Sequence, residues 1–388
     1  MTITTLDPQI ATASPPPTKP RESETRVDVA GQWQLMWWKF RRHKLALWSG
    51  VVVLLLYTIA LFAEFLYPYD PESYNARFTY APPQAIHLGT RPVEGGEGFG
   101  LYVLGLRSQV DRVSLQRTFV PNPDKRIALG FFVKSEPYQM WGLFTLDRKL
   151  FGPVDYNERV YLLGADRLGR DVYSRLIAGT RISLSIGLVG VGISLFLGIL
   201  LGGVSGYYGG RIDDVIQRVI EFLKSVPQIP LWMGLAAAIP PTLSPLTVYF
   251  MVTIILSLLG WTGLAREVRS RFMSLKSEDF VAAARLDGCS EYRTIMRHMV
   301  PSFMSHIIAT LTLAIPSMIL AETALSFLGI GLRPPVVSWG VLLNEAQNIR
   351  AVATAPWLFA PGFAVVVSVL ALNFLGDGLR DAADPYES

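Results

Sequence analysis

A single cysteine, Cys289, stands in 388 residues. That excludes an internal disulfide and any cysteine cluster for a metal. Histidine is almost as scarce: His43, His87, His298 and His306 show no HxxxH or similar spacing, so each reads as a structural residue and no metal site is expected. Charge is thin as well. Asp, Glu, Lys and Arg make up 17% of the chain and apolar residues 51%, whereas a soluble domain carries about 25% charged residues. This is a membrane composition. The net charge of +4 is too slight to imply a nucleic-acid surface. No GxxxxGK[ST] is present, so the loop that cradles nucleotide phosphates is missing. No nucleophile elbow and no HExxH occur either, and no catalytic residue is assigned. The amino terminus lacks the apolar core of a signal peptide: residues 1–30 hold "SPPPTKPRESE", polar and proline-rich, and are expected to form a disordered cytoplasmic tail.

What the chain has in plenty is long apolar runs. A span needs roughly 20 mostly apolar residues, and such runs fall at 45–67, 183–207, 212–239, 246–265, about 301–330 and 356–375. The third is interrupted by Pro227 and Pro230, and Pro316 lies inside the fifth; these prolines read equally well as hinges or as static kinks. Lys39, Arg41, Arg42 and Lys44 precede the first run, and "REVRSRFMSLK" follows the fourth. Cations at those places put both on the cytoplasmic side. Six spans then leave both termini in the cytoplasm. The Trp-rich "GQWQLMWWKF" ahead of the first span reads as an interfacial helix.

The expected architecture is an all-α polytopic membrane protein of six transmembrane helices. Residues 1–30 are the tail, 31–67 the interfacial helix and first span, 162–378 the core with five spans, and 379–388 a cytoplasmic tail. Between the first two spans, 68–161 is mixed in charge, rich in Pro and Gly, and contains alternating runs such as "RIALGFFVK" and "YQMWGLFTLDRKLFG". It is expected to be a small, mainly β extracytoplasmic insertion.

Small residues recur every fourth position in the second span: Gly190, Ser194, Gly198, Gly202, Gly206 and Gly210. That spacing keeps them on one helix face and lets a second helix approach closely. "GLVGVG" within it has no preceding strand, so packing is favoured over nucleotide binding. Intramembrane carboxylates are costly and are functional candidates. Glu322 lies 21 positions beyond Pro301, on the order of 30 Å along a helix, near the outer mouth. It faces the translocation path, as a gate, or a partner subunit, or else neighbours that bond it at a helix end. Asn373 and Asp377 read as interfacial.

The segment "DFVAAARLDGCSEYRTIMRHMVP", 279–301, is polar and lies between two spans. Good helix formers run over 280–286, Gly288 is placed for a left-handed C-cap, 291–299 makes a second short helix, and Pro301 opens the next span. A small-faced helix held along the membrane suits the groove of a soluble partner. A DNA-binding helix-turn-helix has similar spacing, but the spans that pin both ends make access to DNA awkward.

This segment resembles the EAA loop of ABC-importer permeases: EAA, three residues, Gly, nine residues, an apolar position, then Leu-Pro after one more. Ala282, Ala283 and Ala284 stand for EAA, Gly288 for the glycine, His298 for the apolar position, and Val300 with Pro301 for Leu-Pro. The departures are Ala282 for glutamate, His298 for isoleucine and Val300 for leucine. "LLGADRLGRDVYSRLIAGTRISLSIGL", "GYYGGRIDDVIQR" and "AETALSFLGIGLRPPVVSWG" are similar to the C-type permeases of dipeptide and oligopeptide importers. The resemblance implies the type I ABC importer fold, with 274–301 as the cytoplasmic loop coupling to an ATPase. It implies a homologous second permease subunit, two cytoplasmic ATPase subunits that bind ATP and Mg, and an extracytoplasmic substrate-binding protein, all at the bacterial inner membrane. On this account the chain is a transport subunit, not itself an enzyme, importing peptides; oligosaccharides and metal chelates are alternative cargoes. A secondary transporter is the reading from another class. It predicts mid-membrane ion-pairing acids and internal repeats, and neither stands out here.

Overall fold

The computed structural model describes residues 32–93, 96–110, 117–240, 242–348 and 353–383. The expected tail at 1–30 lies outside the described residues.

Helix α1, Gln32–Arg42, leads through His43 into α2, Lys44–Leu61, and a short α3, Ala63–Leu66. The imidazole of His43 caps α2 by accepting the Ala46 N–H at 3.1 Å. Four strands follow, Ile86–Val93 (β1), Gly96–Val110 (β2), Arg117–Met140 (β3) and Phe144–Pro153 (β4), paired antiparallel in the order 1-2-3-4. The register shifts at Leu104/Gly105 and at Lys134/Tyr138. Val103, Ile127, Leu129 and Val160 form the small core against which the sheet closes. This unit is bolted to the first helices by charge. The Lys149 ammonium of β4 donates to the Glu64 carbonyl at 2.6 Å from a place between the rings of Tyr67 and Tyr138, and the Glu64 carboxylate pairs with Arg181 of the long helix that follows the sheet.

The long helix α4, Val172–Tyr208, starts where Asp171 accepts the Ser174 N–H and stops at Gly209, φ +65°. Next come α5, Gly210–Ser225, and α6, Gln228–Ala237. Helix α7, Pro245–Leu275, is capped by Ser244. The elbow helix α8, Asp279–Leu286, precedes α9, Met304–Phe327; α10, Trp339–Glu345; and α11, Ala360–Ala383. Helix α11 continues through 379–383, where a tail is expected, because Leu379 and Ala382 pack against Met36, Phe40 and Ala46 of the first two helices.

Among the described residues, five helices are long and apolar enough to cross a membrane: Lys44–Leu61, Val172–Tyr208, Pro245–Leu275, His306–Phe327 and Pro356–Ala382. The stretch 212–239, expected as a span, is instead two shorter helices. Proline 227 has no N–H to donate and pushes the preceding residue out of the helical region; Val226 accordingly sits at φ −90°, ψ 131°. Helix α5 also carries Asp213, Asp214, Gln217, Arg218 and Glu221, too polar for hydrocarbon on every face.

Helix α4 is the spine. Its Ile186 shares one buried cluster with Leu256 of α7 and with Met318 and Leu325 of α9. On its other side Leu184, Ile319, Trp339 and Leu372 join α9, α10, α11 and Val53 of α2. At the far end of α2, Met36, Phe40, Ala46 and Ala382 bring the first and last helices together.

Candidate functional site

The elbow between α7 and α9 is held from beneath. Val281 and Met299 are wholly buried with Phe272, Val268 and Tyr207, so the loop rests on α7 and on the end of α4. Burying such side chains contributes about 1.5–3 kcal/mol each. Helix α8 ends in a paired motif: the Gly288 N–H donates to the Arg285 carbonyl at 3.0 Å, and the Cys289 N–H to the Ala284 carbonyl at 3.1 Å. Gly288 is at φ +74°, the left-handed conformation this closure needs. Ser290 then caps Glu291–Arg293 through the Arg293 N–H, and 294–299 widens into a π turn before Val300–Ser302. The prolyl ring of Pro301 cannot donate back to the preceding turn, and a widened turn accommodates it.

Charged and aromatic side chains clamp the elbow. The Tyr208 hydroxyl donates to Glu291 at 2.7 Å, Lys276 donates to the Tyr207 carbonyl at 2.8 Å, and the Arg285 guanidinium lies 5.2 Å from the Tyr207 ring centre. Sequence reasoning gave no role to Tyr207 and Tyr208. Their signal was an aromatic pair directly before two glycines at a helix end.

The other face of α8 is open. Ala282 and Ala283 are exposed, Phe280 is partly so, and Leu286 is 88% exposed, whereas Ala284 is buried beneath. His298, expected at an apolar anchoring position, is only half-buried. The π turn shifts that duty to its neighbours, with Met299 at 0% exposure and Ile295 packed on the same cluster.

The small-residue stripe is a helix–helix contact. A β-carbon on Gly198 would sit 2.8 Å from the Leu264 side chain, one on Gly202 2.4 Å from the Ala265 carbonyl oxygen, and one on Gly206 2.6 Å from that of Arg269. Helices α4 and α7 therefore touch backbone to backbone. Gly210 does not share this face. It opens α5 at φ +53° with nothing within 4 Å of a β-carbon, because α4 has already ended. Where the contact stops, Asp213 ties the helices together, pairing with both Arg269 and Ser205.

Glu322 is wholly buried, in the bonded setting rather than on an open path. Its carboxylate accepts from Ser338 at 2.7 Å, Ser326 at 2.8 Å and Ser183 at 3.4 Å. Those hydroxyls in turn accept backbone N–H groups of Val341, Leu332 and Trp339. One carboxylate thus organises α4, α9, α10 and the loop between the last two.

A second buried charge group closes the entry to α4. Arg175 bridges Asp166 at 2.5 Å and Glu345 at 2.9 Å, and Arg170 bridges the same acids at 2.6 and 2.7 Å. Burial pushes the neighbouring Asp171 carboxyl up to about 6, against the Ser174 hydrogen bonds that favour its charged form.

These features define an integral membrane protein with a helical core, a clamped elbow at one end of its spine and a β unit at the other. Residues 195–386 match the family model described as "Binding-protein-dependent transport system inner membrane component", and residues 31–83 that of the "N-terminal TM domain of oligopeptide transport permease C". The chain is similar to the dipeptide transport system permease protein of Bacillus subtilis, 39% identical over 224 residues, or 57% of this chain and 68% of that one. It is 35% identical to the oligopeptide transport system permease protein of the same organism, over 57% of this chain and 70% of that one. To the glutathione transport system permease protein of Pectobacterium atrosepticum it is 30% identical, over 92% of each chain. The chain belongs to the permease family of binding-protein-dependent ABC importers, and it is a multi-pass inner-membrane protein.

Proposed function

We propose that this chain forms one membrane half of an ATP-driven peptide importer and passes the motion of separate ATPase subunits to the transmembrane helices through its elbow. The single observation that carries this reading is the two-sidedness of α8: Val281 and Ala284 are locked into the helical core, while Ala282, Ala283 and Leu286 are exposed. A groove that grips the exposed face pulls directly on α4 and α7, because the buried face shares a cluster with Tyr207 and Phe272. ATP and Mg would be held by two cytoplasmic ATPase subunits. A homologous permease subunit would complete the pathway, and an extracytoplasmic binding protein would deliver the peptide. Names of the relatives support the peptide cargo.

The orientation follows from α4. Its 37 residues span about 55 Å, more than a bilayer. The elbow bonds its last residues, Tyr207 and Tyr208, whereas the segment leading to the β unit bonds its first turn, where the Tyr69 N–H donates to Ser174. The elbow and the β unit therefore belong on opposite sides. The cations of α1 and of the α7 end fall on the elbow side, which the positive-inside rule assigns to the cytoplasm. On this reading α5 and α6 together complete the sixth crossing, and the β unit lies outside, where it contacts the binding protein or the other permease half. Deleting 86–153 with docking and transport unchanged would refute that contact.

ATP hydrolysis by the purified complex tests the coupling role. Wild type should hydrolyse ATP in a vanadate-sensitive way, and replacing Gly288 by valine should abolish that stimulation while the complex still assembles. Uptake driven by a proton gradient without any ATPase partner would overturn the reading.

A further inference from the structure

The turn between β3 and β4 carries an apolar cluster that the transport cycle does not use. The Leu143 N–H closes the turn on the Met140 carbonyl, and both central residues, Trp141 and Gly142, take positive φ, +55° and +70°. Tryptophan in that conformation is uncommon, so something beyond turn formation fixes it there. The effect is to aim its ring at the end of the first span: the indole N–H donates to the Leu61 carbonyl at 2.7 Å, and the ring lies tilted against Phe62, 5.9 Å between centres. Phe132, a second bulky residue of this unit at positive φ, packs 6.1 Å from Phe65. Around this contact Leu143 is 75% exposed, Phe144 57% and Phe132 58%.

The position of the cluster along the span says what covers it. The helix Lys44–Leu61 has 18 residues, about 27 Å long, against a hydrocarbon core of about 30 Å. With Lys44 at one edge, Leu61 stands at the other. One side of that helix exposes Trp48, Leu54 and Leu55, apolar as a lipid-facing side is, and the turn sits at the end of the same helix, with Trp141 on Leu61 and Phe62. An indole whose N–H is satisfied and whose ring meets hydrocarbon is the interfacial use of tryptophan. We propose that the β3–β4 turn, through Trp141, Leu143 and Phe144, is a membrane anchor that seats the β unit in the lipid headgroup region beside the first span. The inference requires that Lys44–Leu61 cross the bilayer; it does not depend on the cargo or on the elbow.

Nitroxide accessibility in the assembled transporter tests this, in nanodiscs of phosphatidylethanolamine and phosphatidylglycerol. Cys289, the one cysteine of the chain, is changed to serine, and Leu143→Cys or Phe144→Cys carries the label, with Asp124→Cys as the aqueous reference. Both turn labels should collide several-fold more with oxygen than with a nickel chelate, and the reference label should show the reverse. Nickel-dominated collision at the turn would overturn the anchor in favour of an aqueous face. Low collision with both reagents would overturn it in favour of burial against a protein subunit. Both turn side chains are more than half exposed, so either variant tests the proposal without disturbing the fold.

Discussion

Gly202 of α4 meets the backbone of Ala265 in α7 so closely that a β-carbon there would stand 2.4 Å from the carbonyl oxygen. No flexible side chain can move aside to relieve that clash, so the helices must separate. Gly202→Ala should lower stability by about 1–3 kcal/mol, the usual cost of overpacking, and Gly202→Leu should prevent assembly. Gly198→Ala should cost less, because its nearest neighbour is the Leu264 side chain. Gly192 in the same helix has nothing within 4 Å, and Gly192→Ala should be neutral or stabilising. Unfolding midpoints in mixed micelles rank the three alanine variants; equal losses at 192 and 202 would refute the contact.

Glu322 is expected to act through stability. Glu322→Ala strips the shared acceptor from Ser326 and Ser338 and leaves their buried O–H donors without one, at about 1–3 kcal/mol for each such group. Glu322→Gln keeps one acceptor oxygen and should lose less. Thermal melting of the solubilised protein checks this. A transport defect in Glu322→Ala with unchanged melting would return the residue to the pathway.

The spans and the elbow were largely legible because their signals are local. Hydrophobic length marks α2, α4, α7, α9 and α11, the fourfold repeat marks Gly198, Gly202 and Gly206, and Gly288 marks a left-handed closure. What the sequence hid depends on pairing at a distance. Helical rise placed Glu322 at a depth but could not say which neighbours surround it, and Ser183 is 139 positions away. Pro227 was visible, but not that the run 212–239 would be two separate helices. His298 stands where the pattern has an apolar residue, yet the wholly buried side chain of this turn is Met299, a placement that depends on the π turn. Nothing local announces that Lys149 inserts between two tyrosines, or that Trp141 takes positive φ.

The bridge formed by Arg175 should be far stronger in the loss than a surface pair. With Arg175 and Asp166 each 1% exposed and Glu345 7% exposed, Arg175→Ala leaves two acids facing only Arg170. Breaking such a buried group typically costs about 3–5 kcal/mol. The double variant Arg175→Met with Glu345→Gln should recover part of that, because it removes charge on both sides. Expression and melting of the single and double variants give the coupling; additive losses would show that the bridge contributes nothing as a unit.

Lys149 gives the pH dependence. Burial pulls its ammonium from the ordinary 10.5 down to about 8, against the Glu64 and Asp70 carboxylates, which favour the charge. Below pH 8 both folded and unfolded chains hold the proton, and the folded chain bears the cost of burying it. Between about 8 and 10.5 the unfolded chain still binds the proton that the folded chain has released, so stability rises with pH across that window. The lysine's contribution is complete above 10.5 and lost as pH falls through 8. Lys149→Met retains the packing without the titration, so the unfolding free energy of wild type minus that of the variant should climb above pH 8, with a slope of at most about 1.4 kcal/mol per pH unit. A difference that stays flat from pH 7 to 10 would mean that the lysine keeps its charge throughout, held by the Glu64 carbonyl and the two tyrosine rings.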